Sequence, residues 1–276
     1  MRTNQSKYKL INLCKAMQVS KSGYYKYIKL EPNLVKLEIQ KQIEICFKEH
    51  KCRSGARKIH IDIAKTYKIS SATVGRYMQN LGLKAKNRSK FKVKPVKTSY
   101  DAPNLLNRQF TASKPNQKWV SDITYLKANN TWQYLCVIID LYSRKVIAWQ
   151  FRHNMHTSLV TDTLKQALIN RKINSKMTDL MLHSDRGSQY TSLDFTTDLA
   201  KHNIKHSLSR PANCWDNAVA ESFFKSLKSE LLTKQPWSFE RMKLELFEFI
   251  DIDYNSKRYH SYLNYNTPNN FELSTL

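Results

Sequence analysis

At 276 residues, 41% of them hydrophobic, the chain is long enough for about two domains of ~100–200 residues and apolar enough to give at least one of them a core. Its longest unbroken apolar run, Tyr134 to Ile139, falls far short of the ~18 residues of a membrane span, and the Lys-rich start has no signal-peptide stretch, so a soluble, cytoplasmic protein is expected. Five scattered cysteines, never arranged as C-x-x-C, exclude a disulfide framework and a zinc ribbon and read as reduced thiols, while a formal net charge of +24 asks for a polyanionic partner, nucleic acid first.

The charge is uneven. Residues 1 to 100 hold 24 Lys/Arg against 5 Asp/Glu, and residues 101 to 276 hold 22 against 17, so the first third is the electrostatic arm. In chain order, Leu10, Leu13, Cys14 and Met17 follow helical spacing after Tyr8; Val19 makes a turn, and Ser20 caps a second helix carrying Tyr24, Tyr25 and Ile28. A second copy of this plan has Ile59, Ile63 and Tyr67 on one helix, a short turn at Lys68 and Ile69, Ser70 as cap, and a helix from Ser71 to Leu81 with Val74, Tyr77, Met78 and Leu81 as its apolar positions and Gly82 as a stop. Residues 1–83 therefore read as a basic, all-α helix-turn-helix DNA-binding region. Ser71, Thr73 and Arg76 are placed to read bases, and Arg53, Arg57 and Lys58 to meet phosphates. The C-x3-H-x-C-x7-H spacing of Cys46, His50, Cys52 and His60 matches no common zinc finger, and helical periodicity assigns Cys46 to a buried position, so zinc is not expected there. Lys84 to Lys118 carries eight Lys and two Arg with Pro95, Pro103 and Pro115 and lacks sustained periodicity; residues 84–115 read as a basic linker, either extended along phosphates or simply solvated.

From Trp119 the period changes to runs of β-formers. Strands are expected over Trp119–Lys127, Trp132–Leu141 and Lys145–Phe151, the first two joined at Asn129-Asn130. A helix over Ser158–Asn170, a strand over Met177–His183, a helix over Leu193–His202, a strand over Lys205–Ser209 and helices over about Asn217–Leu232 and Phe239–Tyr254 follow. That order is an α/β fold, a ribonuclease H-like mixed sheet flanked by helices, filling residues 116–276. Three acids stand out within it. Asp122 lies inside the first strand, where an unpartnered carboxylate is costly; Asp185 ends the fourth; Glu221 lies on a long helix, with Lys225 and Lys228 on its stripe and Ala220, Phe223, Leu227 and Leu231 on its buried side. Taken singly, each has an ordinary reading as a buried acceptor, a turn aspartate or a solvated helix residue. If the first and fourth strands are neighbours the three converge, and carboxylates are the hard donors that hold two divalent cations about 3.5–4 Å apart for phosphodiester chemistry.

The segments Asn104-Leu105-Leu106-Asn107-Arg108, Trp119 to Tyr125, His183 to Tyr190 and Cys214 to Phe224 closely resemble the downstream-frame (OrfB) transposases of two-frame bacterial insertion sequences. These are members of the retroviral integrase superfamily, whose triad is Asp, Asp and Glu with 35 residues between the last two, the spacing of Asp185 and Glu221. Tyr254-Asn255, Arg258, His260, Leu263 and Pro268 are similar to the family's C-terminal signature, so the resemblance runs from about residue 40 to the end. It implies that Asp122, Asp185 and Glu221 bind Mg²⁺, with Mn²⁺ able to substitute, cut the 3′ ends of the element and join the freed 3′-OH to target DNA by in-line transfer. It further implies that the basic arm grips the terminal inverted repeats, that the protein works on the nucleoid as a homo-oligomer, and that an upstream-frame (OrfA) segment is joined to it by frameshifting. No leucine heptad precedes Lys7, so that segment is expected to be absent from this chain.

This chain departs from the family at Pro211-Ala212-Asn213, where a Gly is usual, and at Arg258-Tyr259-His260, where two consecutive basic residues are common. Asn217 is expected to cap the Glu221 helix in preference to meeting phosphate, and Lys225 and Lys228 to face DNA. His183 reads equally as a satisfied strand histidine or a proton shuttle; Arg258 and His260 either contact phosphate or pack the last helix; Asp140 is left outside the site. Three competing functions are a non-catalytic DNA-binding regulator, a recombinase with a covalent nucleophile, which would work in EDTA, and a ribonuclease H, for which the basic arm has no purpose.

Overall fold

The computed structural model describes residues 9–28, 34–85, 100–173, 179–211, 213–231 and 237–274, and the chain divides into two units, 1–85 and 86–276. Among the described residues no helix is long and apolar enough to cross a membrane, and Cys14, Cys46, Cys52 and Cys136 are free thiols.

The first unit holds α1 (Leu10–Ala16), α2 (Lys21–Ile28), α3 (Leu34–Glu49), α4 (Ala56–Ile63) and α5 (Ser71–Asn80). Ser20 Oγ accepts from the Gly23 N–H at 2.9 Å and Ser70 Oγ from the Thr73 N–H at 3.2 Å, so both expected serine caps form. Gly82, at φ +68°, closes α5 while the Leu83 N–H returns to the Met78 carbonyl at 2.8 Å. The turn before α5 is longer than expected. α4 ends at Ile63 rather than reaching Tyr67, and His60 Nε2, 2.8 Å from the Ile69 carbonyl oxygen, braces the connection. α3 has no counterpart among the expected elements, yet its Ile43, Cys46 and Phe47 form the core with Ile59, Ile63, Val74 and Met78.

The second unit is a five-stranded mixed sheet of β1 (Lys118–Ala128), β2 (Thr131–Asp140), β3 (Val146–Arg152), β4 (Met181–Ser184) and β5 (Lys205–Leu208), in the order β3-β2-β1-β4-β5. The first three strands form an antiparallel meander, and β4 and β5 run parallel to β1. Asn129 and Asn130, both at positive φ, make the tight β1–β2 turn. Side chains alternate across the sheet. Trp119, Cys136, Ile138 and Leu182 pack on α6 (Thr157–Asn170) and α7 (Leu193–Lys201), whereas Val120, Leu126, Leu135 and Val137 pack on α8 (Ala218–Leu231) and α9 (Phe239–Phe247). α10 (Pro268–Leu273) ends the described chain. This is the ribonuclease H-like architecture with helices on both faces.

Four expected bounds change. β4 starts only at Met181; residues 177 and 178 of the expected strand lie outside the described residues. A 3₁₀ turn, Cys214–Asn217, precedes α8. Beyond Phe247 the helix widens to π winding over Glu248–Lys257, which brings Phe249, Ile250, Tyr254 and Asn255 to one buried side. Asn255 answers both backbone groups of Val146, accepting its N–H at 3.0 Å and donating to its carbonyl at 2.9 Å, where the β2–β3 register shifts. Finally, the expected linker over 84–115 is not extended throughout. Residues 86–99 lie outside the described residues, but Ala102 and Leu106 are buried, Phe110 packs beside Leu106, and Ser207 Oγ accepts the Leu105 and Leu106 N–H groups at 2.9 and 3.1 Å. These apolar residues recur every fourth position, in a stretch that carries no lysine between Lys97 and Lys114, and their burial stabilises a packed path over a solvated one.

Candidate active site

β1 turns Asp122 to the side of Val120 and Leu126, the α8 side. Val120 pairs with His183 in parallel register, so two residues further on Asp122 comes alongside Asp185, immediately past the end of β4. The Ile123 N–H donates to Asp122 Oδ1 at 2.8 Å and the Gly187 N–H to Asp185 Oδ1 at 2.9 Å. A Cβ on Gly187 would stand 3.0 Å from that Asp185 oxygen, so a larger residue in this turn would push the carboxylate aside by a few tenths of an ångström. Tyr190 fastens the far end of the same loop: buried on the α6–α7 side, its hydroxyl lies 2.8 Å from Ser121 Oγ.

Glu221 sits in the first turn of α8, and the residues just before it fix its approach. Asn217 is buried and donates from Nδ2 to the Ser121 carbonyl at 3.1 Å, while its Oδ1 makes no hydrogen bond. The expected cap is therefore corrected: a capping Asn accepts through Oδ1, whereas this one ties the start of α8 to the residue before Asp122. Asp216, 0% exposed, accepts from Arg210 Nε at 2.9 Å, Arg108 Nε at 2.9 Å and Asn104 Nδ2 at 2.8 Å. Arg210 above all, with Arg108, holds that carboxyl well below the usual range.

Burial lifts Asp122 well above the ordinary carboxylate range, and the facing charges of Asp185 and Glu221 lift it further. Burial also raises Asp185 and Glu221. The Lys228 ammonium, itself lowered by burial, opposes the rise at Asp122. Asp122 inside β1 is thus crowded by the carboxylates of Asp185, just past β4, and Glu221 on α8. All three are hard oxygen donors whose charge a divalent cation offsets, the donor set that suits Mg²⁺.

The remaining sequence-derived positions sort as follows. His183 is wholly buried, with Nδ1 2.8 Å from Ser207 Oγ and Nε2 3.0 Å from Ser209 Oγ, and burial lowers it to about 4; it is a satisfied strand histidine. Arg258 pairs with Glu230 and lies over the Phe249 ring, and His260 packs edge-on to Tyr254, so both serve the packing of the last helices. Asp140 is held by the Asn116 and Tyr142 N–H groups, away from the acids. Lys225 is exposed and Lys228 half-buried. In the first unit Arg57 and Arg76 are exposed, and Lys58, Ser71 and Thr73 half-buried. Tyr190, Arg210 and Asp216 were not among the expected site residues, although each lies within five residues of a motif acid or of Asn213 in the linear sequence.

Two integrase core domain models match the chain, over residues 112–214 and 202–268, and an HTH-like domain model matches residues 35–91. The chain is 36% identical to transposase InsF for insertion sequence IS3A of Escherichia coli (strain K12), across 99% of its own length and 97% of that protein's. It is also 36% identical to the transposase for insertion sequence element IS904 of Lactococcus lactis, across 85% and 93%. Among solved structures it is similar to the HTLV-2 integrase catalytic core domain in complex with magnesium, with 17% identity, a TM-score of 0.42, and 57% of this chain and 97% of that one covered. DNA is thus its partner, and at such identity over nearly the whole of both proteins the chain belongs to the IS3 family of insertion-sequence transposases.

Proposed function

We propose that Asp122, Asp185 and Glu221 are the catalytic and metal-holding residues of this transposase, acting on the terminal inverted repeats of its element and on target DNA. The observation that carries this is the β1–β4 register, which sets Asp122 beside Asp185, together with the Asn217 tie that brings the helix of Glu221 to the same strand. When bound, two Mg²⁺ ions, or Mn²⁺ in their place, stabilise negative charge on the attacking and leaving oxygens of a phosphodiester. The Ile123 and Gly187 N–H groups each donate to an Oδ1 oxygen and so orient the Asp122 and Asp185 carboxylates that would hold the ions. The reaction is hydrolysis at each 3′ end followed by attack of the freed 3′-OH on target phosphate. Arg57, Lys58, Thr73 and Arg76 grip the repeats, and Lys225 and Lys228 meet backbone phosphates beside the cut. Bringing two ends together calls for a dimer or larger assembly on DNA, working on the nucleoid with an upstream-frame segment.

Labelled end DNA incubated in Mg²⁺ or EDTA tests this, with Glu221→Gln alongside. Mg²⁺-dependent 3′ nicks and joined products that the variant lacks, while it binds the DNA as wild type does, are expected. Cleavage in EDTA, or by Glu221→Gln at the wild-type rate, overturns the assignment; binding without cleavage even in Mn²⁺ points to the regulator, or to a requirement for the upstream segment, which repeating the assay with the fused protein separates.

A further inference from the structure

Spacing alone gives Cys46, His50, Cys52 and His60 no common zinc geometry. Folding divides this set. His60 is engaged with the Ile69 carbonyl, whereas Cys46 on α3 and His50, four residues on and just past its end, are joined by the His50 N–H to Cys46 carbonyl bond at 3.0 Å and share one side, and α4 brings Asp62 to it. His50 Nε2 lies 3.0 Å from Asp62 Oδ2, Cys46 Sγ lies 3.9 Å from the same oxygen, and the three ligand atoms all fall within 4.8 Å of one another. A tetrahedral ion with Zn–S of about 2.3 Å and Zn–N and Zn–O of about 2.0–2.2 Å sets its ligands roughly 3.3–3.6 Å apart. The two distances to Asp62 Oδ2 lie on either side of that range, each within a few tenths of an ångström of it. Two further contacts orient the ligands. Ser54 Oγ, buried, is 2.8 Å from His50 Nδ1 and fixes the ring, as the outer partner of a ligating histidine does. Lys65 Nζ holds Asp62 Oδ1 at 2.7 Å, which turns Oδ2 toward Cys46 and His50. The side chains of His50 and Asp62 are 19% and 24% exposed, so a fourth position opens to water.

We propose that Cys46 Sγ, His50 Nε2 and Asp62 Oδ2 bind a borderline transition-metal ion, Zn²⁺ by chemistry, with water as fourth ligand. A thiol and an imidazole select such an ion over Mg²⁺, so this site is distinct from the carboxylates of the second unit. Its ion staples α3 to α4, two of the three helices that build the core of the DNA-binding unit, and makes the stiffness of that unit depend on metal supply.

Cobalt(II) titration of the purified, metal-stripped full chain tests this, because a thiolate ligand produces a near-ultraviolet charge-transfer band that oxygen-only sites lack. One equivalent of Co²⁺ giving that band, and Zn²⁺ bleaching it, is the expected result. Cys46→Ser should abolish the band with helical content unchanged, Cys52→Ser should keep it, and Ser54→Ala should keep it while weakening Co²⁺ affinity about 10- to 100-fold. Wild type without the charge-transfer band, or Cys46→Ser with it, overturns the proposal and leaves Asp62–His50–Ser54 as a hydrogen-bonded brace.

Discussion

Leu106→Ala probes where the catalytic unit begins. Leu106 is 0% exposed and belongs to the core cluster that also holds Val120, Ala220, Phe223 and Leu227, so truncation removes a buried isobutyl group and leaves a cavity in that core. A fully buried Leu→Ala change costs about 2–5 kcal/mol. In a folding unit of 150–250 residues each kcal/mol moves the melting temperature by about 2–4 °C, so roughly 6–12 °C is expected for a central cost of about 3 kcal/mol. Differential scanning calorimetry of the full chain reads this directly, since the fall should appear in the transition of the second unit and leave that of the first in place. A shift below about 2 °C in the second-unit transition would mean that residues 100–116 are part of a solvated linker, and would refute the packing argument.

Three more outcomes follow from the site. Asn217→Ala removes the 3.1 Å tie to Ser121 and should slow Mg²⁺-dependent nicking by about 100-fold, since an ångström of misplacement carries that penalty, while end-DNA affinity measured by anisotropy stays constant; unchanged nicking would dismiss Asn217 as a positioning residue. Asp122 holds its proton more tightly folded than unfolded, so its contribution to stability is complete below the ordinary carboxylate range and is lost as pH rises through the raised value. In EDTA, Asp122→Asn should therefore melt above wild type at about pH 8 and together with it near pH 4; a lower melting temperature at about pH 8 would contradict the crowding of the three acids. Arg57→Ala and Lys58→Ala should each reduce the slope of log affinity against log salt by about 1, and an unchanged slope in either removes that residue from the phosphate contacts.

Much of the sheet was legible in the sequence because its signals are local: the Asn129-Asn130 pair marks the β1–β2 turn. The triad proposed here was singled out by the spacing of Asp185 and Glu221 only through the resemblance to the integrase superfamily. α3 gave only a partial signal: helical periodicity placed Cys46 on a buried side, but Leu34, Val35, Leu37 and Ile45 are exposed apolar residues that blur the stripe of Ile43, Cys46 and Phe47 and hid the extent of the helix. Asn217 looked like a cap because Asn before a helix usually is one, but burial beside β1 gave its amide a carbonyl to satisfy instead. Asp216 was invisible for a different reason, in that two of its partners, Asn104 and Arg108, lie more than a hundred positions away along the chain. The π winding after Phe247 likewise depends on a strand end, at Val146, that the helical sequence does not contain.

The clasp on Asp216 bears on how such a protein is taken apart and recombined. The integrase core match begins at residue 112, which would invite a cut there. A core severed at that point would lose Leu106 from its interior and Asn104 and Arg108 from a carboxylate with no access to water, and the turn that delivers α8 would relax with them. A new recognition head grafted onto this catalytic body has to join ahead of Tyr100, so that the apparent tether travels with the enzyme and only the chain before it is exchangeable.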